Sequence, residues 1–526
     1  MFVCLQEKQR FLTDVLHEVM LLDGLRSSHP ISQEVEQATD INRVFDWIAY
    51  KKASKRLAYR GNWLSSLSGY LDKTNIGAAL IRMLANVMGQ PLFQKGLNDY
   101  LLSHMYSNAA RDDLWSKLSQ AMRSEGRDID IGVMMDRWTL QMGYPVVTIS
   151  KNQSEQLPTS YITVSQEHFL YGQEVRNNNS LQWQVPLTVA VGNASSVCSQ
   201  SLIWINNRTE THRIGHMDDR TWLLGNINQT GYFRVNYDLQ NWKLLIQQLH
   251  TNPQIISVGN RAGLIDDAFN LAKAGYLPQG IPLQLIGYLP EETSFLPWHS
   301  ASRALYQLDK LLDRTDEYSL FSDYVLKQVA SRYHQMGWPT NSPGNEGNVL
   351  QASYQTEELQ RELIMLACSF GNKQCHRQAV AYISDWISSN KNRIPPNIRD
   401  IVYCTGVSLM DEDVWEFIWM KFHSSSAVSE KKILLEALTC SDNIFLLHRY
   451  GEALFMNSKL IGGVTEFLNT DKELNELKEF IQSSGVGAVP ALPRALEIVE
   501  GNVRWHRLHR RQFYQWLSKP PSAALG

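Results

Sequence analysis

Few residues in this chain have the types and spacing that chemistry needs. A zinc-dependent hydrolase helix carries two histidines one turn apart with a glutamate beside the first, His-Glu-x-x-His, and a third ligand on a following helix. The only His-Glu pair is at His17-Glu18-Val19-Met20-Leu21, where leucine stands in place of the second histidine. His212 and His216 have the i,i+4 spacing but no glutamate, and their place between strand-like segments reads as a solvated turn. His506 and His509 read as the polar face of the last helix. No catalytic zinc site is encoded, and no metal is expected in this chain. Neither a Gly-x-Ser-x-Gly elbow nor a P-loop is present, and His29 beside Ser27 and Ser28 reads as a loop.

Six cysteines follow a different logic. Cys4 and Cys198 have no obvious partners, whereas Cys368/Cys375 and Cys404/Cys440 form two spaced pairs in a helical region. Seven residues along one unbroken helix would separate the first pair by about 10 Å, too far for a disulfide. Gly371-Asn372 lies between them and can turn the chain. The spacing alone leaves two readings, paired cystines or four reduced core cysteines, and it lacks the CxxC pairs of a zinc ribbon. Five Asn-x-Ser/Thr sequons, at Asn152, Asn178, Asn193, Asn207 and Asn228, fall in one window and occur nowhere else. That clustering points to N-glycosylation and a secretory route.

The elements that would position these groups fall into three stretches. Up to Gly143 apolar residues recur at helical spacing, first over residues 6–22 (Phe11, Leu12, Val15, Leu16, Val19, Met20), then in a helix capped by Thr39 or Asp40 that reaches Tyr50. The pattern lapses over residues 53–76, which read as a loop or an insertion, and resumes at Ala78, Leu80, Ile81 and Leu84. In Arg137-Trp138-Thr139-Leu140-Gln141-Met142-Gly143-Tyr144-Pro145 the period changes from helix to strand, with Gly143 able to end a helix in a left-handed turn. From Val146 to about Asp238 the pattern is β. Trp183, Val185, Leu187, Val189 and Val191, then Phe233, Val235 and Tyr237, alternate with residues expected on a wet face, Arg234 and Asn236 among them. From Trp242 onward everything is helical, with clear segments at Arg261–Ala274, Ala301–Leu312, Leu320–Met336, Glu357–Phe370 and Val414–Phe422, as in an α-solenoid. The resulting division is 1–144 helical, 145–240 a β-sandwich and 241–526 a helical solenoid.

Composition sets outer limits. The chain has 526 residues, 44% apolar and 20% charged, with a net charge of −3. That is an ordinary globular balance with no electrostatic reason to bind nucleic acid. No apolar run is long enough to span a membrane, and Met1-Phe2-Val3-Cys4-Leu5 is too short for a signal peptide, so neither signal nor anchor is expected in the residues given.

Asp46-Trp47-Ile48-Ala49-Tyr50-Lys51-Lys52, taken together with Gly77-Ala78-Ala79-Leu80-Ile81-Arg82-Met83-Leu84, resembles the Tyr-x-Lys-Gly-x-x-x-Leu-Arg-Met-Leu block of the gluzincin (M1) aminopeptidases. The helix-to-sheet crossing at Trp138–Pro145 and the segment Asn260–Phe269 are similar to the same family, and the likeness runs from about Glu7 to the end. The resemblance implies a multidomain α + β fold: the helical remnant of a thermolysin-like catalytic domain, a small β-sandwich, and a C-terminal α-solenoid of the ERAP1-like type. It implies disulfides Cys368–Cys375 and Cys404–Cys440, and gives Tyr50 the role of hydrogen-bond donor to the oxyanion of the tetrahedral intermediate. The family's reaction is zinc-dependent removal of an N-terminal residue from small peptides, at the extracellular face of the plasma membrane and often as a homodimer.

This chain departs from the family's pattern. The N-terminal β domain, the Gly-x-Met-x-Asn loop, the zinc motif and the third ligand are missing, the Tyr50 block is interrupted, and against the family's pattern several helices are skipped near Asn443. A truncated or alternatively spliced form, without activity of its own, is therefore expected. Such a form could bind small peptides, pair with a full-length subunit, or have no independent role. Without the catalytic half, residues 6–136 would expose the face that packs on it.

Overall fold

The computed structural model describes residues 10–32, 75–152, 160–172, 181–214, 217–339, 354–441, 443, 446, 465–483 and 491–518. Tyr50, Cys4, Asn178, His216 and the stretch 53–74 lie outside them, as do residues 447–464 in the region of the expected gap.

The opening segment is a wide π-helical turn, Phe11–His17, running into α1, Glu18–Asp23, where a single regular helix is expected from the pattern. Leu12, Leu16, Val19 and Met20 are buried along it. Helices α2 (Asn75–Met88), α3 (Gln90–Ser103), α4 (Arg111–Arg123) and α5 (Ile131–Thr139) follow. Gly96 of α3 lies so close to Leu118 and Ala121 of α4 that a Cβ would come within 2.9 Å of a leucine methyl. Asp130 caps α5 by accepting from the amides of Gly132 and Val133 at 2.9 and 3.2 Å.

Gly143 then makes the crossing into sheet at φ +73°. No side chain fits there, because the backbone is left-handed and an added Cβ would fall 2.2 Å from His168 Nε2. Trp138 fastens the helix end to the sheet, donating from Nε1 to the Gln184 carbonyl at 3.2 Å.

Seven strands form two sheets. They are β1 (Pro145–Asn152), β2 (Ser160–His168), β3 (Val185–Gly192), β4 (Val197–Ile205), β5 (Thr209–Ile214), β6 (Trp222–Gly225) and β7 (Arg234–Tyr237). One sheet has the order β5-β2-β1-β7 and the other β4-β3-β6. All pairings are antiparallel except β1 with β7, which is parallel, with Val146 opposite Arg234 and Ile149 opposite Tyr237. Val147, Ile149, Ile162, Val164, Leu187 and Leu223 fill the sandwich.

The expectation of one wet face fails for β3 and β7. β7 is buried at every position and β3 at all but Thr188. For β7 the cause is helical cover: α6 (Leu239–Thr251) packs on β6 and β7, and α7 (Val258–Lys273) packs on β7. Asp238 caps α6 by accepting from the Asn241 amide at 2.8 Å, while the Asn241 side chain exchanges two hydrogen bonds with the Leu223 backbone. These contacts put α6 and α7 in the same compact unit as the sheet, which extends over Met1–Leu285, whereas the change of periodicity falls near residue 241.

The second unit, Ile286–Gly526, contains no strand among its described residues. After α8 (Gly280–Ile286), which crosses the unit boundary, come α9 (Phe295–Leu312), α10 (Tyr318–Met336), α11 (Tyr354–Ser369), α12 (Lys373–Ser389), α13 (Arg399–Leu409), α14 (Glu412–Ser424), α15 (Val428–Leu438), α16 (Asp471–Ser483) and α17 (Ala491–Leu517). Each packs on near neighbours in the chain, as α10 on α11 and α12 on α13. Each clear segment read from periodicity falls on one of these helices or on α7, to within one residue at its end, and every helix begins earlier than the segment.

Two disulfides clamp this unit. Cys368 bonds Cys375 across the turn between α11 and α12, and Cys404 of α13 bonds Cys440 just past α15. Gly371 makes the first turn at φ +89°, and Asn372 caps α12 through the amides of Gln374 and Cys375, both at 3.0 Å. These are the pairs that the family resemblance implies.

Two outcomes are expected from these features. Loop-closure entropy assigns about 4 kcal/mol to the 36-residue separation and about 2 kcal/mol to the seven-residue one. In denaturant titrations, Cys404→Ala/Cys440→Ala should therefore lower the second unit's midpoint more than Cys368→Ala/Cys375→Ala; an equal or reversed loss contradicts this. Gly143→Ala should lower the first unit's melting temperature by several degrees through a backbone cost of about 1–2 kcal/mol and the His168 clash.

Candidate functional site

Among the described residues of the first unit, one constellation of titratable side chains is centred on a fully buried arginine. Arg234, fully buried on β7, donates from Nη1 to Asp266 Oδ2 at 2.7 Å and to Asp267 Oδ1 at 3.0 Å, both on α7. Asp267 Oδ2 also accepts from the Val235 amide at 3.1 Å. The guanidinium lies 5.2 Å from the centre of the Phe169 ring, and its Nε donates to the Tyr144 hydroxyl at 3.3 Å. Tyr144 in turn donates to the Met20 carbonyl of α1 at 2.7 Å.

A second arm reaches the end of the same helix. Tyr232 donates to Asp23 Oδ2 at 2.9 Å, and Ser28 donates to the other carboxylate oxygen. Tyr171 donates to Asn270 Oδ1 at 2.5 Å, and Asn270 donates to the Asp266 carbonyl at 2.7 Å. One polar network thus ties α1, the crossing residue Tyr144, β7 and α7 together.

Its electrostatics follow from burial. Removal from water pushes the Tyr144 and Tyr232 phenols well above their ordinary range, so both stay protonated hydrogen-bond donors. Burial pushes Asp267 up to about 7; Arg234 works against the shift, and the neighbouring Asp266 adds to it. One guanidinium facing two carboxylates leaves a negative charge that a shared proton relieves. No face of Arg234 meets solvent, so the network can position elements and hold a proton, and it offers no opening to a substrate.

A second tie lies at the turn before β7. Asn226, Asn228 and Gln229 all have positive φ, at 53°, 55° and 51°. Arg82 of α2 donates to the carbonyls of Asn228, at 2.9 Å, and Gln229. Asn260 of α7 accepts from the Asn228 amide at 2.8 Å and donates to the Asn226 carbonyl at 3.1 Å.

The residues singled out from sequence are scattered. His17 is buried, with Nδ1 3.9 Å from Asp266 Oδ1, and so belongs to the junction. His212 lies within β5, where a turn is expected, and pairs with Glu210 at 3.0 Å. His506 and His509 sit on α17, with pKa values lowered by burial and by arginines, Arg510 and Arg314 for His506 and Arg504 for His509. His29 Nδ1 approaches the Pro30 carbonyl at 3.0 Å. Asn193 and Asn207 are exposed in turns, and Asn228 is exposed in the left-handed turn. Among the described residues no group of three or more His, Cys, Asp or Glu could hold a metal ion, and no helix is long and apolar enough to cross a membrane.

Arg234 and Asn236, expected on the wet face, are buried because α7 covers β7. The junction was missed for that reason. A signal did exist: Asp266-Asp267 sits inside the apolar run Leu264-Ile265 and Ala268-Phe269, where a carboxylate pair needs a buried cation.

Residues 4–69 and 72–138 match the Peptidase family M1 domain, and residues 222–460 match the ERAP1-like C-terminal domain. The chain is similar to the thyrotropin-releasing hormone-degrading ectoenzymes of Homo sapiens and Rattus norvegicus, with 57% identity to each over 98% of this chain and 50% of the relative. It is 31% identical to aminopeptidase Ey of Gallus gallus over 97% of this chain and 54% of that protein. The chain spans about half the length of the curated relatives it matches. The first alignment covers 566 positions, more than the chain's 526, so the relatives hold residues that have no counterpart here.

The junction predicts a pH dependence. Asp267 binds its proton in the folded state up to about pH 7, whereas the unfolded carboxyl releases it near 3.8. Its contribution to stability is therefore complete below about pH 4 and is lost as pH rises towards 7. Denaturant midpoints for the wild type and Asp267→Asn, measured from pH 4 to 7, should show a shallower decline for the variant; parallel curves contradict the assignment.

Proposed function

We propose a non-catalytic role for this chain, which belongs to the M1 peptidase family and holds the C-terminal part of its peptidase domain ahead of an ERAP1-like C-terminal domain. The family's chemistry is zinc-dependent, acting on peptides through a metal-bound water. One observation supports the reading: the residues given contain no His-Glu-x-x-His, and the one His-Glu pair, His17-Glu18, has leucine three residues on, with its histidine buried beside Asp266. Among the described residues no set of side chains fits zinc.

The chain then acts as a companion subunit, pairing with a longer family member that supplies the catalytic half and sharing its small-peptide substrates. Large apolar side chains at the end of α3 favour such pairing: Leu101, Leu102, Met105 and Tyr106 are 47%, 57%, 55% and 102% exposed. Tyr50 keeps by resemblance the oxyanion-donor role, which without metal is inert. The extracellular face of a membrane is the compartment that suits two cystines, five sequons and relatives named as ectoenzymes. N-glycans at Asn152, Asn178, Asn193, Asn207 and Asn228 belong to the same proposal.

Incubated alone with pyroglutamyl-histidyl-prolinamide, the purified chain should give no turnover, with or without a zinc chelator. Co-expressed with a tagged full-length relative, it should co-purify as a defined complex. Chelator-sensitive turnover by the chain alone, or a monodisperse chain that never co-purifies, overturns the reading.

A further inference from the structure

Strand edges are templates for pairing with another chain, and proteins protect them with charge, cover or shortness. Three of the four edges of this sandwich are protected in one of those ways. β5 carries Glu210, His212 and Arg213. β6 and β7 are four residues each and fully buried, with α6 and α7 packed on them. The fourth edge is β4, and it differs on every count.

β4 is nine residues long and pairs with β3 alone among the described strands. Val197, Cys198, Ser199, Gln200, Ser201 and Leu202 are all exposed, so both faces of the strand as well as its outer edge meet solvent. No charged residue occurs anywhere between Asn193 and Asn207. An uncharged strand can pair antiparallel with a second copy of itself without opposing like charges. At about 3.4 Å per residue the edge is about 30 Å long.

The two residues that bracket this strand are both sequon asparagines. Asn193 begins the turn from β3, where its Oδ1 accepts from the amides of Ser195 and Ser196 at 2.9 and 3.1 Å; Nδ2, the atom that carries a glycan, takes no part in those bonds. Asn207 lies in the turn to β5, its Nδ2 donating to Glu210 Oε1 at 2.9 Å. A glycosylated amide keeps one N–H, so that bond is compatible with modification. Both side chains are exposed.

We infer that N-glycans at Asn193 and Asn207 serve as the gatekeepers of the β4 edge and prevent it from pairing with β4 of a second copy. The inference rests on the glycosylation proposed above and assigns two of those sites a task. A hydrated, bulky chain at each end of the strand takes the place of the lysines or prolines that guard other edges.

The test uses the full chain secreted from a eukaryotic host, carrying Cys4→Ser and Cys198→Ser so that neither can cross-link. Site occupancy is read by mass spectrometry and mass in solution by light scattering. Removing the glycans enzymatically from the folded protein should at least double the weight-average mass at micromolar concentration, and so should Asn193→Gln/Asn207→Gln. Adding Ser199→Lys/Ser201→Lys should return either form to its starting mass. Occupied sites whose glycans can be removed with no change in mass overturn the inference alone. Association that the lysine pair does not reverse runs through another surface and overturns it as well. Unoccupied Asn193 and Asn207 overturn the glycosylation reading and the inference together. Enzymatic trimming after folding keeps the question answerable if the double substitution fails to fold.

Discussion

The guanidinium of Arg234 and the two carboxylates it faces set the terms for the first unit. A cation without solvent is costly unless paired, and here the pairing reaches α7 through Asp266 and Asp267 and α1 through Tyr144. Such a group, once formed, is strongly destabilising to break, because removing one partner leaves an uncompensated buried charge. The partners are spread over α7, α1 and the crossing residue, and the hydrogen bonds form together only when helix, sheet and covering helix occupy one arrangement. The crossing at Gly143 depends on the same arrangement, since Tyr144 is the next residue and His168 fills the space that a side chain would need.

Much of this architecture was legible in the sequence because it rests on local rules. The change of period at Trp138–Pro145 marked the crossing, and the five helical segments after Arg261 were placed by their apolar spacing. Gly371-Asn372 offered a turn by which Cys368 could reach Cys375, although the pairing itself came from family resemblance. The errors have one physical origin. Alternation along Phe233–Tyr237 gives the two faces of a strand and says nothing of a helix lying over the second face, so Arg234 and Asn236 were read as wet. Alternation does not show the junction either, since its members come from residues 17–28, 144, 169–171, 232–235 and 266–270 and meet only in the fold. His212 was misplaced for a simpler reason: polar residues on an edge strand look like a turn.

The chemistry was more legible than the packing. A metal site on a helix has a fixed spacing, so a leucine at the second ligand position can be read directly. In the fold, His17 is buried with Nδ1 3.9 Å from Asp266 Oδ1 and so belongs to the junction. Together with the two family matches, this describes a chain that keeps the scaffolding of a peptidase around a centre that its residues do not build.

The turn at Asn226–Gln229 bears on the order in which the first unit assembles. Three left-handed residues in four cost about 1–2 kcal/mol each as an isolated peptide, and the groups that offset that cost are Arg82 on α2 and Asn260 on α7, distant in sequence on either side. The link from β6 to β7 is therefore a poor nucleus. Its conformation is supported by both helices, and β7 joins β1 in the one parallel pairing among the described strands. Closure of the first sheet is thereby coupled to helices that lie far apart in sequence on either side of the turn.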